Sequence, residues 1–235
     1  HGLVLDEHGQ KMSKSKGNVI NPMELVTKYG SDAFRLGILR GRSAGMNQAF
    51  SENSVMAGRN LCNKLWNISR FIQGMVDESH SGSLVAAEMV QAEAEATVVN
   101  EGAVQAGAEM PYSTDNMGED WICRELTACK DKIEDDMANY RFSEAVEMLY
   151  SVIWDKYADW FIESQKIYKN VPLLKMTLEM ILKMLHPFAP FVTEAIWQSL
   201  SWTEGKLIVQ KWPTRLEFDP VSAQNFENLM VIVSE

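Results

Sequence analysis

The sequence predicts a mainly α-helical protein, in which a short strand-and-loop region precedes a helical bundle. Apolar residues recur every three or four positions through four long segments between residues 51 and 185, the spacing of amphipathic helices. The first strand-like sequence lies in residues 3 to 20. With 235 residues, 46% of them hydrophobic, the chain can bury the core of one or two domains. No apolar run reaches the roughly 18 to 20 residues that span a bilayer.

Residues 1 to 20 predict a short strand, a turn over residues 6 to 10 and then a cationic loop. The loop carries three lysines among small hydroxyl residues, Lys11, Lys14 and Lys16. Ammonium groups on flexible stems can follow phosphates as charge moves between them, so the loop suits a polyphosphate that is bound transiently. The alternative is a solvated basic turn in front of a helix.

Residues 21 to 50 predict a compact elbow of two short helices that meet at Gly30. We expect Ser31 or Asp32 to cap the second helix, because short oxygen-bearing side chains accept hydrogen bonds from the free N–H groups of a first turn. Residues 41 to 50 contain Gly, Ser and Asn, and they are predicted to form a loop.

Residues 51 to 76 predict the first helix of the bundle, with Ser51 as its cap. Phe50 and Val55 have the spacing of a hydrophobic staple. The stripe predicted to face the core comprises Val55, Cys62, Leu65, Trp66, Ile72, Met75 and Val76. Between these positions lie three bases that are predicted to be solvated, Arg59, Lys64 and Arg70.

Residues 77 to 118 differ in composition, since they hold eight acidic residues and no Lys or Arg. We predict a long, acidic, mobile insertion with a weak helix over residues 86 to 96. An acidic hairpin that binds a basic partner is the alternative. Residues 1 to 76 hold ten Lys or Arg against five Asp or Glu, so the net charge of −10 does not exclude a local nucleic-acid surface.

Residues 119 to 213 predict the remainder of the helical bundle. Ser143 is expected to cap a long helix, and Pro172 to open the most buried helix, which is apolar almost all round. A brief extended segment is predicted over residues 206 to 210. Residues 214 to 235 predict the start of a C-terminal helical extension.

The cysteines indicate neither a disulfide framework nor a metal site. Cys62, Cys123 and Cys129 are odd in number, and no Cys-x-x-Cys pair or Cys/His cluster accompanies them. We expect three partly buried thiols in a reducing cytoplasm, and no bound metal.

The order Lys11-Met12-Ser13-Lys14-Ser15 reproduces the KMSKS motif of class I aminoacyl-tRNA synthetases. Similar blocks cover residues 1 to 76 and 119 to 213, and Asn63-Lys64-Leu65-Trp66-Asn67 resembles the valine branch of that family. The resemblance implies that residues 1 to 20 end a Rossmann-type catalytic domain and that the elbow is a stem-contact region. It implies that the bundle is an α-helical anticodon-binding domain.

The resemblance also implies roles for individual residues. Lys14, assisted by Lys11, would stabilise the triphosphate of ATP electrostatically as pyrophosphate leaves. The ATP-binding loop as a whole would comprise Lys11, Met12, Ser13, Lys14 and Ser15. The candidates for contact with tRNA phosphates are Arg59, Lys64 and Arg70.

By the same resemblance, the chain is expected to be a C-terminal part of a monomeric, cytoplasmic valine–tRNA ligase. Its partners would be ATP, valine and tRNA(Val), with Mg²⁺ bound mainly by a catalytic part that this sequence does not contain. The segment alone is expected to be inactive. Two alternatives are a part of an isoleucine–tRNA ligase and a non-catalytic helical interaction module.

Overall fold

The computed structural model describes residues 2–41, 46–93 and 112–234, with side chains in the long third helix described as far as residue 79. The elements follow in the order β1 (Val4–Leu5), a 3₁₀ turn (Lys14–Lys16), α1 (Pro22–Tyr29), α2 (Ser31–Leu39), β2 (Gln48–Ala49), α3 (Glu52–Glu93), α4 (Met117–Ala138), α5 (Phe142–Ser151), a π-helix (Val152–Phe161), α6 (Ile162–Tyr168), α7 (Val171–Leu185), α8 (Pro190–Ser199), a second 3₁₀ turn (Leu207–Val209) and α9 (Pro220–Ser234). The mainly helical prediction is confirmed.

The strands β1 and β2 form a small parallel sheet at the start of the chain. Val4 pairs with Gln48 and Leu5 with Ala49. The prediction of a loop over residues 41 to 50 is therefore wrong for Gln48 and Ala49, which form a strand. A two-residue strand is too short to show the alternation by which a strand is identified in a sequence.

The elbow forms as predicted, but its second helix is capped differently. The Asn21 side chain accepts a hydrogen bond from Met23 N at the start of α1, and Gly30, with φ of 94°, joins α1 to α2. No side chain caps α2, so the expected role of Ser31 or Asp32 there is wrong. The Asp32 carboxylate instead reaches the first turn of α8, where it accepts from the backbone N–H of Val192 at 2.5 Å.

The helix α3 begins as predicted and extends further. Ser51 Oγ accepts from Asn53 N at 3.2 Å, and both Phe50 and Val55 are buried in one small apolar cluster with Leu25. The helix continues to Glu93, past the predicted end at residue 76. One member of the predicted stripe, Trp66, is 38% exposed, because it lies on a different face of the helix from its neighbour Leu65.

The predicted acidic insertion is helical on its N-terminal side. Residues 77 to 93 belong to α3, and α4 begins at Met117 with Asn116 as its cap. The weak helix expected over residues 86 to 96 coincides with the end of α3 as far as residue 93. Residues 94 to 111, to which the prediction of a mobile insertion also applies, lie outside the described part of the chain.

The main core lies between α3 and the helices α4 to α8. As predicted, α7 is the most deeply buried of them, with nine buried residues in its fifteen. The helix α5 begins at Phe142, so Ser143 lies in its first turn instead of capping it. A ten-residue π-helix follows α5 directly, and it brings Tyr157 and Phe161 into the core with no more than 1% of either exposed.

The C-terminal part of the described chain packs on α4 and α8. Residues 206 to 210 contain a 3₁₀ turn, not the predicted extended segment, because the Glu194 carboxylate accepts from Leu207 N and folds the chain over α8. The helix α9 packs on α4 through Trp121 and Phe226, whose rings lie 5.2 Å apart. Among the described residues, no helix is both long and apolar enough to cross a membrane.

Candidate functional site

The lysine loop is a short, locally closed structure. Ser13 caps the 3₁₀ turn of residues 14 to 16, since its Oγ accepts from Lys16 N at 3.3 Å. Gly17 ends the turn with φ of 68°, a left-handed conformation that glycine adopts without strain. Met12 packs beneath the loop against the apolar cluster that contains Leu25 and Phe50.

The three lysine side chains of this loop are exposed. In the described part of the chain none of Lys11, Lys14 and Lys16 forms an ion pair, whereas Lys28 on the adjacent helix α1 is paired with Glu52 at 2.8 Å. Their charges therefore stay available to an anionic ligand. A cleft of about 430 Å³ lies beside the loop and is lined in part by Asn18 and Phe50.

The base of the loop is held by two side chains, Asp6 and Asn18. Asn18 Nδ2 donates to Asp6 Oδ2 at 2.8 Å, and Asn18 Oδ1 accepts from Ser13 N at 2.9 Å. Asp6 Oδ1 also accepts from the backbone N–H groups of Gln10 at 2.7 Å and His8 at 3.0 Å. The hydrogen bond from Asn18, followed by that from the Gln10 amide, lowers the pKa of Asp6, so its carboxylate remains ionised at neutral pH.

A second candidate surface is the outer face of α3. Arg59, Asn63, Trp66 and Arg70 are exposed, and their spacing of four, three and four residues places them on one side of the helix. Asn67 is exposed next to them. Two guanidinium groups, an indole and amide side chains along one face are the groups that contact phosphates and unstacked bases.

Lys64, the third predicted contact, is engaged with the neighbouring helix instead. Its ammonium group lies 2.7 Å from the Asp159 carboxylate and 4.3 Å from the centre of the Trp154 ring. A groove of about 530 Å³ runs here between α3 and the π-helix, lined by Asn60, Asn67 and other residues of both elements. The structure therefore groups Arg59 with Arg70 and separates Lys64 from them.

Three residues of these surfaces were missed as site residues by sequence reasoning. Asp6 and Asn18 lie in sequence next to the lysine motif, but only the fold brings their side chains together. Trp66 was assigned to the core because it follows Leu65 in an apolar stripe. The polar spacing through Arg59, Asn63 and Arg70 is the signal that could have placed Trp66 on the outer face.

Two family models match parts of the chain. Residues 119–235 match the family described as the anticodon-binding domain of tRNA ligase, and residues 1–51 match class I tRNA synthetases of the I, L, M and V group. The chain belongs to the class I tRNA synthetases. The lysine loop lies within the match over residues 1–51, and all of α3 lies between the two matched regions.

Curated relatives of this class I synthetase chain are valine–tRNA ligases. The one from Mycolicibacterium paratuberculosis is 35% identical over all of this chain, and that from Pelagibacter ubique is 36% identical, again over all of it. The Bacillus cereus enzyme is 36% identical over 91% of the chain. The chain spans about a quarter of the length of these relatives, between 23% and 25%.

A solved structure has the same fold. The LeuRS of Agrobacterium radiobacter K84, crystallised in a ternary complex with tRNA and LeuAMS, superposes with a TM-score of 0.67. The superposition covers 95% of this class I synthetase chain and 24% of the LeuRS chain, at 22% sequence identity. At that identity the likeness extends to the fold alone.

Proposed function

We propose that this chain is the part of a valine–tRNA ligase that contributes the ATP-binding lysine loop and the tRNA-reading helical bundle. The observation that carries the proposal is the lysine loop, whose base is held by hydrogen bonds while its three ammonium groups remain unpaired among the described residues. The valine assignment is supported by valine–tRNA ligases that are 33% to 36% identical to this chain.

In the proposed reaction, valine attacks the α-phosphorus of ATP, and pyrophosphate leaves. Negative charge then accumulates on the departing phosphate oxygens, and Lys14 and Lys11 stabilise it electrostatically. Mg²⁺, which would be held mainly by the catalytic part of the enzyme, would supply further positive charge at the phosphates. The Ser13 and Ser15 hydroxyls lie 3.2 Å apart at the start of the turn and keep it closed.

The bundle would bind the anticodon arm through the outer face of α3. Arg59 and Arg70 would contact phosphates, and the exposed indole of Trp66 would stack on an unpaired base. Asn63 and Asn67 offer amide donors and acceptors to base edges. Lys64 contributes less to this contact, since a phosphate would have to displace the Asp159 carboxylate from it.

The catalytic half of the proposal is tested by ATP–pyrophosphate exchange in a full-length ligase that carries this segment. Replacing Lys14 with Ala is expected to slow exchange by about 10² to 10³, the usual cost of one transition-state donor. Lys28→Ala is the matched control, because it removes an exposed lysine of α1 and should leave exchange within about twofold, as surface ion pairs contribute little. Normal exchange for Lys14→Ala would exclude the proposed role.

The tRNA half is tested on the 235-residue chain itself. Arg59→Ala and Arg70→Ala should each weaken binding of a tRNA(Val) transcript and reduce the dependence of log Kd on log salt by about one. The control is Arg215→Ala, which removes a guanidinium that is exposed and paired with Asp131 on α4. Equal affinities for all variants would contradict an interface on α3.

A further inference from the structure

The conformation of the lysine loop depends on very few hydrogen bonds. Within it, the backbone contributes Lys16 N to Ser13 O at 3.1 Å and Gly17 N to Lys14 O at 3.2 Å. Those two bonds close the 3₁₀ turn but do not attach it to the rest of the domain. Attachment comes from the packing of Met12, from a bridge between Leu5 and Lys11, and from the side chain of Asn18.

Through one amide group, Asn18 contacts two backbone groups at the start of the loop and the side chain of Asp6. Its Oδ1 accepts from Ser13 N at 2.9 Å, and its Nδ2 donates to Lys11 O at 3.3 Å and to Asp6 Oδ2 at 2.8 Å. The two ends of the loop and the turn after β1 are thereby tied to one side chain. Removing this amide would free the backbone on both sides of Met12.

Asp6 is the fixed end of this arrangement. It is 8% exposed, and it follows β1 directly. Its Oδ1 is occupied by the backbone N–H groups of His8 and Gln10, which leaves Oδ2 to accept from Asn18. Because the carboxylate is held by its own turn, it can set the position of Asn18, and through Asn18 the position of the lysines.

We propose that Asp6 and Asn18 are positioning residues for the adenylation step, holding the loop in the conformation that presents Lys11 and Lys14 to the triphosphate. The inference rests on the proposed function of the loop and adds residues that touch neither ATP nor the reacting atoms. Neither side chain packs in the apolar core, so a change in the pair alters the placement of the lysines and leaves the fold intact.

The hydrogen bond between Asp6 and Asn18 should be restored when the carboxylate and the amide are swapped between the two positions. In Asp6→Asn the amide that replaces Oδ2 faces another amide donor, and in Asn18→Asp two carboxylates face each other. In the double variant, the amide introduced at position 6 would donate to the carboxylate introduced at position 18. That carboxylate would still accept from Ser13 N, and only the bond to Lys11 O would be lost. Single variants are therefore expected to be impaired, and the double variant rescued.

The test measures ATP–pyrophosphate exchange in the full-length ligase that carries this segment. Each single variant should lose about 10- to 100-fold in kcat with little change in KM for ATP, because the lysines act mainly in the transition state. The double variant should recover to within about fivefold of the parent enzyme, as expected for two strongly coupled residues. The matched control is Asn47→Asp, since Asn47 Oδ1 accepts from Leu3 N next to β1 and lies outside the loop.

A second readout does not require activity. In the 235-residue chain, hydrogen exchange at the Ser13 and Gln10 amides should accelerate in both single variants and slow again in the double variant, at unchanged thermal stability. If exchange of pyrophosphate is normal in both single variants while Lys14→Ala is inactive, the positioning role is overturned and the proposed function stands. If Lys14→Ala is fully active, both the positioning role and the proposed function of the loop are overturned. Additive losses in the double variant also overturn the pairing.

Discussion

Asp32 of α2 caps a helix that begins 158 residues later in the chain: its carboxylate accepts from the backbone N–H of Val192, at 2.5 Å, in the first turn of α8. The same carboxylate accepts from Phe191 N at 3.3 Å. One turn further along α2, Arg35 donates to the carbonyls of Phe188 at 2.9 Å and Pro187 at 3.0 Å, just after α7 ends. The elbow is thus fixed to the corner between α7 and α8.

Asp32→Ala is expected to lower the free energy of unfolding by about 1 kcal/mol, within the range of roughly 0.5 to 2 found for lost helix caps. The helix dipole and two backbone donors lose their acceptor, and the N-cap residue of α8, Ala189, has no side chain that could replace it. Denaturant unfolding at pH 7 measures the loss. A variant as stable as the parent would contradict capping of α8 by this residue.

The pH dependence of stability provides a separate test of Asp32. Burial raises the pKa of this carboxyl group, although the N–H groups of Val192 and Phe191 oppose the shift. The folded state then binds the proton more tightly than the unfolded state, so stability falls as pH rises from the ordinary Asp range through the raised pKa. The stability of the parent relative to Asp32→Asn should therefore decrease as pH rises above about 4, the ordinary pKa of an Asp side chain. A difference that grows with pH would contradict a raised pKa.

Arg40 forms the second attachment of the elbow, and it is expected to stabilise the fold more than an exposed ion pair does. Its guanidinium binds both oxygens of Glu147, at 3.2 and 3.1 Å, and lies 3.7 Å from the centre of the Tyr150 ring. Arg40→Ala should cost about 1 to 2 kcal/mol of unfolding free energy, and Arg40→Lys should restore only part of it, because Lys cannot make the bidentate contact. Full restoration by Lys would mean that charge alone matters.

The exposure of Trp66 predicts a contrast between two adjacent residues. Leu65 is fully buried, so Leu65→Ala should destabilise the chain by about 2 to 4 kcal/mol through the cavity it leaves. Trp66→Ala should cost less than about 1 kcal/mol of folding and should weaken tRNA binding instead. Unfolding curves and transcript binding on the same two samples separate these effects. A large loss of stability for Trp66→Ala would contradict its exposed position and indicate that it packs in the core.

The thiols are predicted to be unreactive in the folded protein. Burial raises the pKa of Cys62, Cys123 and Cys129 to about 12 in each case, with the nearby Asp32 carboxylate adding to the shift at Cys62. Since the thiolate is the reactive form, reaction with a disulfide reagent at about pH 8 should be roughly a thousandfold slower than for a free thiol. The same sample in guanidinium chloride should titrate three thiols quickly. Rapid reaction of the native chain would contradict burial.

Local signals in the sequence were sufficient where the residues that start a helix adjoin it in the sequence. Asn21 before Pro22 and the apolar run after Pro172 predicted α1 and α7, because cap and helix lie within a few residues of each other. Asp32 also lies at the start of a helix and has a side chain suited to cap it, but it caps α8 instead of its own helix α2. Its partner in α8 is distant in the sequence, so a spacing rule could not identify it.

The candidate site divides in the same way. The lysine motif was recognisable from its order alone, and the structure adds how Asn18 and Asp6 hold it. On α3, a period near 3.6 cannot by itself decide whether Trp66 turns inward with Leu65 or outward with Arg70. The strand pairing of Gln48 and Ala49 depends on a partner 44 residues earlier, which a two-residue run does not reveal.

The most direct test of anticodon reading by this bundle is the affinity of the 235-residue chain for tRNA(Val) and tRNA(Ile) transcripts, each also prepared with the anticodon of the other. We predict that affinity follows the valine anticodon by a factor of about 10 or more, the usual loss for one or two missed base contacts, and weakens steeply with salt. Arg215→Ala should preserve this preference, and Trp66→Ala should reduce it. Equal binding of all four transcripts, or a preference that follows the body of the tRNA and ignores the anticodon, would contradict this role.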